Sequence, residues 1–262
     1  MPNRIFGPIG LCFLFFWALV PGIAGARLIR EQAGLELWET DLGPLWIPRP
    51  GSAVIKHLEW EQAVQKVYDY PSAHVSPGNI VIDCGAHIGG FTRVALQAKA
   101  QLVVAIEPEK LNIEAFRKNF VAELRSGRVI LIEKGIWDKS GTLALHLSNT
   151  GDSHSVAIAQ NSGRDESIEV TTLDAIVKSL NLPRVDFIKI DIEGSERNAL
   201  AGASQVLKQW HPNLAISSYH KQGDPQAICA LIWSIWPAYL TGSKDRIRGP
   251  EGFEVPKVLF FY

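Results

Sequence analysis

The stretch Ile80-Val-Ile-Asp-Cys-Gly-Ala-His-Ile-Gly-Gly-Phe-Thr92 decides the fold. An apolar run of strand length ends on Asp83, a turn follows with glycine at Gly85, Gly89 and Gly90, and Phe91, Val94 and Ala95 then recur on one helical face. Strand, glycine turn and helix in that order form the first βα unit of a nucleotide-binding α/β domain. Glycine lacks Cβ, so such a turn can tighten and let a ligand approach the backbone. The helix N-terminus behind it adds unpaired N–H groups and a partial positive charge.

The residues around the turn narrow the ligand. A dinucleotide turn reading G-x-G-x-x-G from Gly85 requires glycine at position 87, which is His87, and Asp83 would repel a diphosphate. A carboxylate there suits a ligand with an ammonium group, such as the methionine end of S-adenosylmethionine. The second strand, Leu102-Val-Val-Ala-Ile106, ends on Glu107. That is the usual reach to a ribose diol, which a carboxylate can accept from with both oxygens.

Bulk properties set wide bounds. A length of 262 residues allows one α/β domain with additions or two small ones, and 47% hydrophobic content suits a sizeable core. A net charge of -1 gives no reason to expect a nucleic-acid partner. Cys12, Cys84 and Cys229 show neither paired nor metal-ligand spacing. Their expected role is as small buried hydrophobes.

Residues 1–26 stand apart. Arg4, the apolar run Leu11–Val20, the breaker Pro21-Gly22 and Ala24-Gly25-Ala26 together have the form of a secretory signal peptide. Counted as residues 5–26, the run approaches the length that spans a bilayer, weakened by Pro8 and Pro21. A cofactor made in the cytosol argues against export, and Arg27 and Arg30 give a slight positive-inside bias. The favoured expectation is a membrane-associated chain with its catalytic domain in the cytosol. Export through a cleaved signal peptide and a mis-called start codon are the alternatives.

Residues 27–77 read as a cap or extension, rich in Trp, Pro and Gly between 35 and 56. Trp38 and Trp46 either cover a sheet edge or shape a pocket. Trp60, Val64, Val67 and Tyr68 predict an amphipathic helix over 52–70. In the domain proper, 78–262, Pro108 is expected to open a helix burying Leu111, Ala115 and Phe116. Val129–Ile132 is the third strand. The loop Gly135-Ile-Trp-Asp138 at its end places Trp137 to stack on an adenine and Asp138 to accept from its amino group, or leaves both as a core tryptophan beside a turn aspartate. Thr142–Leu147 and Ile168–Thr171 are expected to pair, with the polar loop 148–167 as a lid or a hairpin tip. Thr172 caps a short helix. Asn213–Ser217 is the fifth strand, Asp224-Pro225 caps a helix, Tyr239-Leu240 is a possible sixth strand, and Lys257–Tyr262 is a last, antiparallel one.

The second diagnostic stretch is Val185-Asp-Phe-Ile-Lys-Ile-Asp-Ile-Glu-Gly-Ser-Glu196. It is a buried strand ending in Asp191, Glu193 and Glu196. Carboxylates at a strand's C-terminal end face the ligand cleft and are costly unless paired or used. Glu196 has a blander role available, at the positive end of a helix.

Asp83-Cys-Gly-Ala-His-Ile-Gly-Gly, Glu107-Pro108, Thr172-Leu-Asp174 and Ile188-Lys-Ile-Asp-Ile-Glu-Gly-Ser-Glu196 together resemble the FkbM-type methyltransferases, over roughly residues 78–245. The resemblance implies a class I S-adenosyl-L-methionine fold: a Rossmann-like sheet of seven strands, six parallel and one antiparallel, with helices on both faces. It also implies methyl transfer to a hydroxyl on a sugar, a glycolipid or another lipid-linked or natural-product scaffold. On it, Asp83, Gly85 and Gly89 line the methionine end of the cofactor, with Ala86, His87 and Pro108 beside them. Glu107 takes the ribose, Asp138 lies near the adenine, and Asp191 sits beside the methyl. The family often carries an acid after the fifth strand, where this chain has Ser217-Ser-Tyr-His220.

The expected chemistry is an in-line displacement, for which the protein must align the acceptor and remove its proton. His220 is the first choice of base, because an unshifted imidazole titrates near neutrality, with Asp191 or Glu193 as alternatives and His154 a distant one. No metal is required, although Asp191 with Glu193 could ligate magnesium through oxygen. Two other classes compete: a nicotinamide-dependent oxidoreductase, opposed by His87 and Asp83, and a tethered or exported binding domain without catalysis.

Overall fold

The computed structural model describes residues 26–147, 155–157, 164–249 and 252–262. Residues 1–25 of the segment expected to be a signal peptide or anchor, and most of the expected lid, His154 included, lie outside them. Among the described residues no helix is long and apolar enough to cross a membrane.

The chain opens with a three-stranded antiparallel sheet, β1 (Arg27–Gln32), β2 (Leu35–Glu39) and β3 (Leu45–Pro48). Helix α1 (Ser52–Glu59) follows and runs into a π-helix, Trp60–Gln65. The main fold then alternates: β4 (Ile80–Cys84), α2 (Gly90–Gln97), β5 (Leu102–Ile106), α3 (Lys110–Asn119), α4 (Val121–Ser126) and β6 (Val129–Ile132). Next come β7 (Gly135–Ile136), β8 (Gly141–Leu147), β9 (Ser155–Ala157) and β10 (Arg164–Thr171), which form a second sheet in the order β7-β10-β8-β9. The chain returns with α5 (Leu173–Ser179), β11 (Phe187–Ile190), α6 (Glu196–Ala201), α7 (Ser204–Trp210), β12 (Asn213–Ser217) and α8 (Asp224–Ile235). The hairpin β13 (Thr241–Arg248) and β14 (Glu254–Phe261) completes it.

The main sheet has seven strands in the order β13-β14-β12-β11-β4-β5-β6. The five strands from β12 to β6 run parallel, and β14 lies antiparallel to both of its neighbours, so one strand of the seven is reversed. This is the expected Rossmann-like class I architecture. Period-2 alternation divides the strands between two cores. Ile82, Ile188 and Ile216 pack on one face with Val177, Leu207 and Ile232 of α5, α7 and α8. Val81, Val103, Phe187 and Phe260 pack on the other with Phe91, Phe116 and Phe120. The β1–β3 sheet and α1 share a third core with Ile88 and Ala115. That core includes Trp38 and Trp46, which therefore pack rather than line a pocket. The chain order reverses between β4 and β11, and ligands bind at such a switch point.

Several local expectations are corrected. The helix over 52–70 stops at Gln65, because Lys66 turns left-handed at φ 48°. Val67 and Tyr68 are buried from the loop beyond, while Val64 is exposed. Pro108 precedes its helix instead of opening it. Glu109 is the N-cap, accepting from the N–H groups of Leu111 (3.0 Å) and Asn112 (2.6 Å), and the buried face is Ile113, Ala115 and Phe116, with Leu111 exposed. The sixth strand begins at Thr241, after Tyr239, whose hydroxyl donates to the Pro212 carbonyl. Gly223 caps α8 in the left-handed region, and Asp224 pairs instead with Arg197 at 2.7 Å. Thr172 caps α5 as expected, accepting from the Ala175 N–H at 3.0 Å.

Candidate active site

The glycine turn is built around contacts inside the protein. Gly85 sits at φ 78°, and a Cβ there would overlap the Asp191 carbonyl oxygen; a Cβ on Gly89 would overlap the Phe120 ring. Gly85 thus lets the ends of β4 and β11 close together, which sets the floor of the cleft. Gly85→Ala is expected to destabilise the fold by on the order of 3 kcal/mol, read as a lower denaturant midpoint.

The cleft above that floor has a volume of about 630 Å³. This is the size of a small-molecule site. One end is lined by the turn residues Gly85, Ala86 and His87, by Glu107 and Pro108 after β5, by Asn112 of α3, and by Lys134, Gly135 and Ile136 after β6. At the other end stand Asp191, Glu193, Tyr68 and Tyr219. Residues His57, Glu61 and Gln62 of α1 and the π-helix line the cleft as well.

Glu107 is held in one orientation. Its Oε1 accepts from the Glu109 N–H (3.0 Å) and Asn112 Nδ2 (3.3 Å), and its Oε2 accepts from the His87 N–H (2.9 Å). Burial raises its pKa, opposed by those hydrogen bonds. Further donors from a bound diol would favour the charged form.

The structure keeps Asp83 beneath the turn instead of in the cleft. Asp83 is fully buried, accepts from Thr92 Oγ1 at 2.8 Å, and faces Lys189 Nζ at 3.3 Å in the adjacent strand. Lys189 also donates to the carbonyls of Cys84 (3.2 Å) and Gly85 (2.8 Å), so it ties the turn to β11. Burial would lower the Lys189 pKa, but Asp83 and then Asp191 outweigh it and raise it. Trp137 and Asp138 are likewise not brought to the cleft. Trp137 packs with Leu145, Ile168 and Val170, and Asp138 accepts from Asn198 Nδ2 at 3.1 Å.

At the far end one imidazole bridges the acids. His220 Nδ1 lies 3.0 Å from Glu196 Oε1, and its Nε2 lies 3.6 Å from Asp191 Oδ1 and 3.4 Å from Glu193 Oε2. A neutral ring has one donor and one acceptor nitrogen, so one lone pair would face a carboxylate. Protonated, the ring can donate from Nδ1 to Glu196 and present its positive charge at Nε2 to Asp191 and Glu193. Burial pulls the His220 pKa down, but the Glu196 hydrogen bond and the surrounding carboxylates push it up to about 9. One ring nitrogen and one oxygen each from Asp191 and Glu196 lie within 4.8 Å of one another, a grouping that could also hold a metal ion.

Glu196, the acid with the blandest expected role, is fully buried and fixes the loop, its Oε1 also accepting from the N–H groups of Ile192 (3.0 Å) and Gly194 (3.2 Å). Asp191 Oδ2 accepts from the Tyr68 hydroxyl at 2.5 Å. Burial would raise the Asp191 pKa, yet the charges of Lys189 and His220 and the Tyr68 hydrogen bond hold it below the usual value. Glu193, at φ 55°, is pushed up to about 7 by burial and then by the Asp191 charge, with His220 pulling the other way. Its side chain is 30% exposed, against 0% for Glu196.

Sequence reasoning missed Lys189, Tyr68, Glu61 and Asn112 as site residues. Only Lys189 left a signal, as a lysine inside an apolar parallel strand, which requires a partner. Tyr68 lies 123 residues from the aspartate it binds.

Comparisons with known proteins bear on the family and the fold. The model of the methyltransferase FkbM domain matches residues 83–237, more than half of the chain. The 31-O-demethyl-FK506 methyltransferase FkbM of Streptomyces tacrolimicus is 26% identical over 196 residues, covering 60% of this chain and 75% of that protein. The hexuronic acid methyltransferase AglP of Haloferax volcanii is 23% identical over 154 residues, 59% of this chain and 61% of its own. The crystal structure of methyltransferase FkbM from Methylobacillus flagellatus superposes with a TM-score of 0.53 at 26% identity, over 72% of this chain and 44% of that one. This chain belongs to the FkbM methyltransferase domain family.

Proposed function

We propose that this methyltransferase uses S-adenosyl-L-methionine to methylate a hydroxyl oxygen of a sugar, a glycolipid or another hydroxylated small molecule. The observation that carries the reading is one cleft with an oriented carboxylate, Glu107, at one end and the Asp191–Glu193–His220 cluster at the other. Family membership supports the cofactor, and the residues fit it: Glu107 for a ribose diol, the backbone of Gly85–His87 along the chain, and Asn112, Gly135 and Ile136 toward the base. When bound, S-adenosylmethionine supplies a methyl group on a sulfonium centre, which needs no further activation.

The chain's own tasks are then to hold an acceptor oxygen in line and to take its proton. Glu193 is the base in this reading, replacing His220. An imidazolium clamped between carboxylates has no lone pair to offer at neutral pH. Glu196 is fully buried, with its Oε1 shared by two backbone N–H groups and His220, and Asp191 is held ionised by Lys189, His220 and Tyr68. Glu193 is open to the cleft and titrates near neutrality, where a general base works best. His220 acts through Glu193 and Asp191 as a positioning residue.

The pH dependence follows in sign. Glu193 must be deprotonated, so activity rises through about pH 7. His220 must stay protonated to hold the acids, so activity falls through about pH 9. His220→Asn is expected to remove the alkaline limb of the kcat/KM profile, whereas a merely structural role would lower the profile without changing its shape. The function itself is tested by incubating the protein with methyl-labelled S-adenosylmethionine and a library of glycosides, glycolipids and alcohols. Label in an ether linkage supports it. Label on nitrogen or carbon alone contradicts it.

A further inference from the structure

The family match begins at residue 83 and ends at 237, yet part of the cleft wall comes from outside it. The π-helix Trp60–Gln65 carries Glu61 and Gln62 to the cleft, one turn after His57. Single-turn π segments are uncommon and recur at functional sites. This one is locked at its end, where Lys244 Nζ of β13 donates to the carbonyls of Gln65 (2.9 Å), Lys66 (2.9 Å) and Asp69 (3.1 Å).

Glu61 is the charged centre of that wall. Its Oε1 accepts from Lys257 Nζ of β14 at 2.5 Å and lies 3.1 Å from His57 Nε2. Lys257 is itself buried, with its ammonium 5.6 Å from the Trp60 ring centre. Lys257 and His57 both lie against Oε1, which leaves Oε2 as the oxygen for a ligand. Burial opposes the charge on Glu61, but His57 and Lys257 outweigh it and hold its pKa below the ordinary value.

The position of Glu61 relative to the chemistry is set by its partner. Lys257 lies on β14, and its carbonyl accepts from the N–H of Ser218 at 3.1 Å, next to Tyr219 in the cleft wall. In the sheet β14 borders β12 and β12 borders β11, which leads to Asp191, whereas Glu107 follows β5 on the far side of β4. Glu61 therefore stands on the Asp191 side of the cleft, where an acceptor must lie.

We propose that Glu61, clamped by Lys257 and His57, is an acceptor-binding residue, and that the acceptor it selects is an uncharged, hydroxyl-rich pyranoside. This inference rests on the methyltransferase reading above. Three features identify the class. An acceptor carrying a carboxylate would face Glu61, Asp191 and Glu193 together. An ammonium would find the Glu61 charge already balanced by Lys257. What the wall offers is hydrogen bonding, from the second Glu61 oxygen, the Gln62 amide and the two tyrosine hydroxyls, beside an aromatic face at Tyr219. That combination suits the hydroxyls and C–H face of a neutral sugar.

The test is saturation-transfer NMR on the full chain loaded with S-adenosylhomocysteine, titrated with methyl mannoside, galactoside, rhamnoside and fucoside and, separately, with methyl glucuronide. At least one neutral glycoside is expected to bind about tenfold or more tighter than the glucuronide, and Glu61→Gln to weaken it by about tenfold or more. Lys257→Met is expected to weaken it as well, because an unclamped Glu61 loses its orientation. Thermal unfolding and homocysteine-cofactor affinity, read on the same samples, show that the variants are folded. Equal or tighter binding of the glucuronide, equal binding of the neutral glycoside by Glu61→Gln, or no glycoside bound by loaded protein would each overturn the proposal. Failure of a folded sample to bind S-adenosylhomocysteine would strike instead at the methyltransferase reading.

Discussion

Glu193→Gln is expected to lower kcat by about 10²–10⁴-fold, the usual worth of a positioned general base. The amide keeps the shape of the side chain and cannot take a proton. Affinity for the cofactor should hold, since Glu107 and the glycine turn are at the other end of the cleft. A loss confined to kcat and kcat/KM together marks an interaction made only in the transition state. The rising limb near pH 7 should vanish in the same variant, because the group responsible for it is gone. Retention of activity within about threefold, with the rising limb intact, would return the base to Asp191 or to solvent.

Lys189→Met is expected to cost about 3–5 kcal/mol of stability, since it leaves the Asp83 carboxylate buried without its counter-ion. The pair is closed to water, with side chains 5% and 0% exposed. A methionine fills the space of the lysine stem but supplies neither the charge nor the hydrogen bonds to Cys84 and Gly85. The double variant Asp83→Asn with Lys189→Met should regain most of the loss, because the uncompensated charge is then absent. Urea midpoints of the four proteins give the coupling directly. Strictly additive losses would mean that the two groups act independently and that the turn is held by something else. Cofactor affinity should fall in the single Lys189 variant, since its ammonium fastens the turn to β11.

The strands were legible because the central ones are buried on both faces and read as unbroken apolar runs, Leu102–Ile106 being the clearest. The Thr172 cap and the antiparallel last strand were equally local in their signals. Less legible was anything decided by distant partners. Leu111 follows the helical period yet is exposed, since Glu109 caps the helix and turns Ile113 and Phe116 inward. Glycine spacing announced the turn but not its cause, which at Gly85 is the close passage of the Asp191 backbone. The acids after β11 were legible from their place at a strand end, and what each one touches was not. An isolated histidine looks like a base, and only its three carboxylate neighbours, seen in the fold, favour the charged ring. The wall built by Glu61 and Lys257 joins residues 196 positions apart and has no motif at all.

Calorimetric titration with S-adenosylmethionine and, separately, with NAD, on the wild type and on Glu107→Ala, separates a methyltransferase cleft from a dinucleotide one. S-adenosylmethionine alone is expected to bind, with a loss of about 2 kcal/mol or more in the variant, the worth of a charged hydrogen-bonded diol contact. Binding of NAD instead, or of neither ligand by a sample shown to be folded, would rule out the methyl-transfer reading of this cleft.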